Sequence, residues 1–302
     1  MTRFRCSHAL IAAVVVAVVY GVALAMLLRT PDADATEPLF LLAALGVAFP
    51  VLAWALTRRP RRFAPPLGSP ARGVAGPLAF LAVFSLLVLG WGFSAIDARW
   101  PDEPAQSIAK TLLKLATMVV LPAWLFLRHA RERPRFAGAR LWAIFAAMAI
   151  AFLAFQAVFG RGLTTLQELA PSTVTLAWAI PLCWLWQTLE AGLCEEVLFR
   201  RVLQQRIADA TGSQVAAVLW ASLLFGLAHA PGLYLRGGHL MEGVASATPT
   251  WAVAYSIAMV APAGVAFGVL WARTRSLWLV VLVHGSVDLL PQLAPFIRAW
   301  HG

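Results

Sequence analysis

Two adjacent carboxylates and an arginine, in the run Leu193-Cys194-Glu195-Glu196-Val197-Leu198-Phe199-Arg200, sit inside an otherwise apolar stretch of this 302-residue chain. Ionised groups in such surroundings cost at least a few kcal/mol each, so they need partners or a wet cavity. Glu196 and Arg200 are four residues apart; on a helix they share a face, and an ion pair between them is expected. Glu195 points about 100° away and is left for another task. Further on, Phe225-Gly226-Leu227-Ala228-His229 and His284-Gly285-Ser286-Val287-Asp288 add two imidazoles and another carboxylate to apolar runs. Groups of these kinds can activate water by general-base catalysis, hold a metal ion, or donate to an oxyanion. Taken singly, each histidine reads equally well as a hydrogen-bonded packing element, and the glutamates as an ion pair with a snorkelling neighbour.

The elements that must position these residues are membrane helices. Hydrophobic residues make up 61% of the chain and charged ones 13%, with a mean hydropathy of +0.76, which a water-soluble domain rarely tolerates. A bilayer core needs roughly 20 mostly apolar residues per helix. Runs of that kind lie at 9–28, 39–56, 77–96, 108–127, 141–159, 173–199, 214–230, 251–272 and 276–292. They are continuously apolar rather than alternating, which excludes a barrel. The fold class is therefore all-α, a polytopic transmembrane bundle of about nine spans. Arg3, Arg5 and Ala23-Leu24-Ala25 imitate a secretion signal, but apolar residues continue through Leu28, so an uncleaved span is expected.

The net charge of +10 does not point to nucleic acid. Most of the 24 Lys and Arg fall in alternate loops beside apolar runs, above all in Arg58 to Pro77 and Arg128 to Arg140, whereas the other side holds Arg29, Arg99, Arg161, Arg236 and Arg298. By the positive-inside rule the N-terminus is cytoplasmic. The two loops read as topology determinants facing anionic headgroups. Lys110 and Lys114, near the outer end of the fourth run, are expected to snorkel to the interface. Cys6, Cys183 and Cys194 show no metal-ligand spacing and no disulfide framework.

Depth makes the polar residues one group. From a loop expected near Gly212, Glu195 lies about 17 residues back and His229 about 17 forward, roughly 25 Å each way, so antiparallel neighbours would bring them level. His284 lies about nine residues, roughly 14 Å, into the ninth run, which is compatible. Three helices can thus converge on one cavity.

At these residues the chain resembles the CAAX prenyl endopeptidase and bacteriocin-processing family, also called CPBP or Abi. The motifs are Glu195-Glu196-x-x-x-Arg200, Phe225-x-x-x-His229 and His284-x-x-x-Asp288, in this order on three membrane helices. The resemblance covers residues 173–292, leaving 1–172 as a five-span region without a recognised motif and 293–302 as a tail. It implies peptide-bond hydrolysis within the membrane. Glu195 would be the general base, with His229 holding the water. Glu196, Arg200 and Phe225 would support the site, and His284 with residue 288 would support the oxyanion. The family usually carries asparagine where this chain has Asp288, a pure acceptor when ionised, so this residue either is protonated or orients His284.

Cofactor use stays open, since Glu195, His229 and His284 could ligate Zn with water as the fourth ligand or act without metal. The expected partners are a peptide or protein substrate at the membrane and the bilayer itself, with no nucleic acid. The expected location is a bacterial inner membrane, with the site opening towards the cytoplasm. Other readings are a proton-coupled transporter, whose relay would use the same buried groups, a catalytically silent immunity or scaffold protein, and a Cys194 transpeptidase.

Overall fold

The computed structural model describes residues 2–29, 34–58, 73–127, 135–236 and 248–301, with side chains from Ser7 onward. Most of the two basic loops, including Arg59, Arg61, Arg62, Arg72, Arg128, Arg131 and Arg133, with Pro60, Pro65, Pro66 and Pro70, lies outside the described residues, as do the side chains of Arg3 and Arg5.

Among the described residues every regular element is a helix, as the unbroken apolar runs require. Eight are long and apolar enough to cross a membrane: Ser7–Leu27, Thr36–Leu56, Ala75–Arg99, Ala105–Phe126, Ala139–Phe159, Gln214–Arg236, Pro249–Thr274 and Leu277–His301. The expected sixth span is helical as well, within helical residues 173–211. Trp178, Pro181, Trp184, Trp186, Gln187 and Glu190 make this stretch less apolar than the other eight. The last helix continues to His301, past the expected end at 292. A short helix not foreseen in the sequence, Gly162–Leu169, precedes the sixth span. On the first helix Leu10, Val14, Val18 and Val22 are exposed at a spacing of four, a face suited to lipid rather than water.

The chain forms two compact units. The first comprises Met1–Ala98 and Phe199–Arg273, the second Arg99–Leu198 and Thr274–Gly302. In the first unit the N-terminal helix packs on Gln214–Arg236 and on the start of the eighth span through Ala23, Leu27, Leu223, Ala254, Ile257 and Ala258. Small residues here permit the close helix approach on which membrane packing depends. Gly212, in the left-handed region at φ 65°, ends the helix after Thr211, where a residue with a Cβ would be strained. The buried guanidinium of Arg273 donates from Nε to the Thr57 hydroxyl at 3.0 Å and from Nη2 to the Thr57 carbonyl, which ties the eighth span to the end of the second.

In the second unit Leu277–His301 is the central helix, packed on Thr173–Gln187, Thr188–Leu193, Gly138–Phe159 and Gly162–Leu169. The sixth-span helix starts with Ser172, whose hydroxyl accepts from the Thr175 amide at 3.0 Å and so satisfies one of the unpaired first-turn donors. Ala179, Cys183, Leu289, Leu293, Phe296 and Ile297 form the apolar contact, and the Trp184 indole donates to the Ser286 hydroxyl at 3.0 Å. At Gly285 a Cβ would stand 2.8 Å from the Thr188 Cα, so only glycine allows the two backbones to come this close. That approach lets side chains as short as glutamate and histidine meet between the helices.

Candidate active site

In the second unit the helix turns just before the glutamates, Thr188–Leu193, are widened into π-helical geometry, as is Leu115–Val120 next to Lys114 on the fourth span. The same geometry recurs at Leu42–Ala48, Ser85–Gly92, Val197–Gln204 and Ser256–Val260, so it does not by itself mark the site. Cys194–Glu196 then resumes the α-helix.

His284, 5% exposed, is the hub of the cluster. Its Nδ1 lies 2.8 Å from Oε1 of the fully buried Glu196, and because a carboxylate accepts, the proton is on Nδ1. Its Nε2 lies 3.4 Å from Asp288 Oδ2, one turn along the same helix, and 3.7 Å from Glu195 Oε2. The ring is thereby held at one nitrogen and directed with the other towards two carboxylates, an arrangement that fixes its orientation. Glu195 is flanked in turn. Its Oε2 faces His284, and its Oε1 lies 3.8 Å from the ammonium of Lys114.

Lys114 corrects the sequence expectation. It does not reach for the membrane interface; it is buried at 6% exposure, and its Nζ donates to Glu190 Oε1 at 2.7 Å. Lys110, one turn earlier, donates to Gln106 at 3.1 Å. Neither Lys114 nor Glu190 was among the residues expected at the site. The signal available in the sequence was that an amine on the fourth span and a third glutamate on the sixth, both in apolar surroundings, would each need a partner.

Of the expected Glu196–Arg200 pair, Glu196 belongs to the second unit and Arg200 to the first. In the first unit the Arg200 guanidinium stands 5.3 Å over the Phe225 ring. Phe225 also meets Phe199 edge-on, with centroids 5.0 Å apart, and His229 at 4.9 Å. The His229 Nδ1 donates to the Phe225 carbonyl at 2.7 Å, which leaves Nε2 as the acceptor of the neutral ring. Phe225 thus holds both the arginine and the histidine of the first unit in place. The structure brings Glu195, Glu196, His284 and Asp288 together in the second unit, and Arg200, Phe225 and His229 together in the first.

Among the described residues no three His, Cys, Asp or Glu side chains gather in a metal-holding arrangement. The candidate ligands Glu195, His229 and His284 are divided between the units. Cys194 is fully buried, and its thiol donates to the Leu189 carbonyl at 3.4 Å, a packed position rather than an accessible one.

The motif residues, with Glu190 and Cys194, lie within one matched segment, and Lys114 lies outside it. Residues 176–290 match the family model described as type II CAAX prenyl endopeptidase Rce1-like. No curated protein and no solved structure matches the chain. The match falls on the region singled out by the three motifs and supports a CAAX-type protease; with the apolar helices, it supports an integral membrane protein.

Proposed function

We propose that the protein is an intramembrane endopeptidase that hydrolyses a peptide bond in a membrane-associated or lipid-modified peptide, with Glu195 as the general base on water. The supporting observation is the meeting of Glu195 with His284, 3.7 Å apart on two different helices inside the Rce1-like segment. The water oxygen attacks the scissile carbonyl carbon while its proton passes to the Glu195 carboxylate. The carbonyl electrons move to oxygen, and a proton on His284 Nε2 stabilises that oxyanion. Collapse breaks the C–N bond, and Glu195 returns its proton to the departing amine nitrogen. His284 acts in this step as the imidazolium, its Nδ1–H accepted by Glu196 and its ring oriented by Asp288 from one turn away.

The expected location is a bacterial inner membrane with the N-terminus in the cytoplasm, and the expected substrate is a peptide at that membrane. The test is hydrolysis of a farnesylated peptide ending in a CAAX sequence by the purified protein in lipid. Glu195→Gln keeps the side-chain shape but cannot take a proton from water. Its rate should fall at least about a hundredfold with thermal unfolding unchanged. A Gln variant with near-normal turnover removes Glu195 from the chemistry.

A further inference from the structure

A second group of polar and aromatic side chains in the second unit takes no part in the proposed hydrolysis. They line a cavity of about 390 Å³, within the range of about 300–1,000 Å³ usual for small-molecule sites. Glu103 comes from the segment just before the fourth-span helix, Trp186 and Gln187 from the sixth span, and Phe296, Arg298 and Trp300 from the end of the ninth. The Trp186 and Trp300 rings meet edge-on with centroids 5.1 Å apart, and Phe296 stacks on Trp300 at 5.7 Å. Both oxygens of Glu103 are held by Ser107, which donates from its amide at 3.0 Å and from its hydroxyl at 2.8 Å. These bonds fix the carboxylate without neutralising it. Gln187 is only 7% exposed, and among the described residues neither its side chain nor that of Arg298 has a hydrogen-bond or ion-pair partner.

The charges select the ligand. A lone anion would meet the Glu103 carboxylate and the negative faces of three aromatic rings. A lone cation would suit those groups but meet the Arg298 guanidinium. A molecule carrying both signs a few bonds apart satisfies all of them. Its ammonium lies against the rings and Glu103, its phosphate accepts from Arg298, and the Gln187 amide can serve either. Placement supplies the second criterion. Glu103 and Arg298 lie at the ends of their helices, where the polar headgroups of a bilayer are met, and tryptophan is favoured at that level. We propose that this cavity binds the ammonium–phosphate headgroup of a zwitterionic phospholipid, phosphatidylethanolamine being the simplest, with its acyl chains left in the bilayer. The inference stands apart from the endopeptidase reading, because none of these residues belongs to the proposed catalytic cluster.

The experiment measures binding of short-chain phosphatidylethanolamine, short-chain phosphatidylglycerol and free phosphoethanolamine to the full chain in non-ionic detergent, by isothermal titration, with thermal unfolding alongside. Wild type should bind phosphatidylethanolamine at least about tenfold more tightly than phosphatidylglycerol, and more tightly than phosphoethanolamine, which lacks the chains. Glu103→Gln keeps an acceptor for Ser107 and loses the charge, whereas Trp300→Leu loses a ring. Each should weaken phosphatidylethanolamine about three- to tenfold without weakening phosphatidylglycerol. Arg298→Gln removes the phosphate partner and should weaken both lipids about tenfold. Should Trp300→Leu fail to fold, Glu103→Gln and Arg298→Gln carry the test, since both positions are exposed.

Equal affinity of wild type for the two lipids, or a preference unchanged in Glu103→Gln and Trp300→Leu, overturns the proposal. Phosphoethanolamine bound as tightly as the lipid would mark a soluble zwitterion as the ligand and overturn the assignment to lipid. Loss of binding with a lowered unfolding temperature in every variant would mark a packing role and overturn it as well.

Discussion

Glu195 and Glu196 are adjacent, chemically identical and both inside the cluster, yet the geometry gives their glutamine variants different consequences. Glu196 is fully buried and accepts from His284 Nδ1 at 2.8 Å. Glu196→Gln preserves an oxygen that can accept the same proton and loses only the charge. A hydrogen bond to a charged group is worth about 1.5–3 kcal/mol, against about 0.5–1.5 for a neutral one, so the expected difference is about 1 kcal/mol. If all of it is felt in the transition state, kcat/KM falls about five- to tenfold. Glu196→Leu goes further, because it strands the Nδ1–H of a buried imidazole, costing about 1–3 kcal/mol of stability and freeing the ring to turn. For Glu195→Gln the loss is that of the general base, about a hundredfold or more. The assay is initial-rate hydrolysis of the farnesylated peptide by the three variants in lipid, with thermal unfolding measured alongside. A well-folded Glu196→Gln as inactive as Glu195→Gln would refute the division of labour, since the second carboxylate would then be transferring protons rather than holding a ring.

The thiol offers a simpler check: Cys194→Ala should keep most activity, and alkylation should leave the folded enzyme working, because the sulfur is fully buried and behaves as a small apolar group. Total loss in a folded Cys194→Ala protein would restore the transpeptidase reading. Asp288→Asn keeps an acceptor 3.4 Å from His284 Nε2, so activity should fall no more than about tenfold, whereas Asp288→Leu should lose more. Equal and complete loss in both would mean that the Asp288 carboxylate itself moves a proton. Activity should survive exhaustive chelation, because a dication bound to Glu195 would have the Lys114 ammonium 3.8 Å from its ligand oxygen. Loss on chelation, reversed by added zinc, would contradict this.

The fold was legible because a bilayer demands so little ambiguity of its helices. Unbroken runs such as 214–230 and 251–272 admit only one regular structure, and both are helices, the first extended at its C-terminal end to Arg236 and the second by two residues at each end, where polar side chains can still reach interface or protein. The motif residues were legible for a related reason. A carboxylate or imidazole deep in an apolar run is too costly to be incidental, which marks Glu195, Glu196, His229 and His284 in the sequence itself. Pairing was harder to see. In the second unit Glu196 meets His284, 88 residues away in sequence, a contact that spacing along one helix does not foretell. Local periodicity gives neighbours on one helix, whereas this contact depends on the close approach that Gly285 permits against Thr188.

Lys114 shows where burial arguments can be pressed further than position arguments. Two lysines one turn apart near a helix end have an easy explanation, since a four-carbon stem can carry an amine to the interface. That explanation treats each charge separately. Glu190 has no arginine or lysine at helical spacing before it on its own span, and no basic residue follows it until Arg200. A glutamate so placed has to find its counter-charge on another helix, and the first five spans offer Lys110 and Lys114. Of the two, Lys110 is satisfied one turn away by Gln106, which leaves Lys114 as the amine able to look inward. Matching unpaired charges across spans, rather than judging each by its depth, is the step that would have brought the fourth span to the active site from sequence alone.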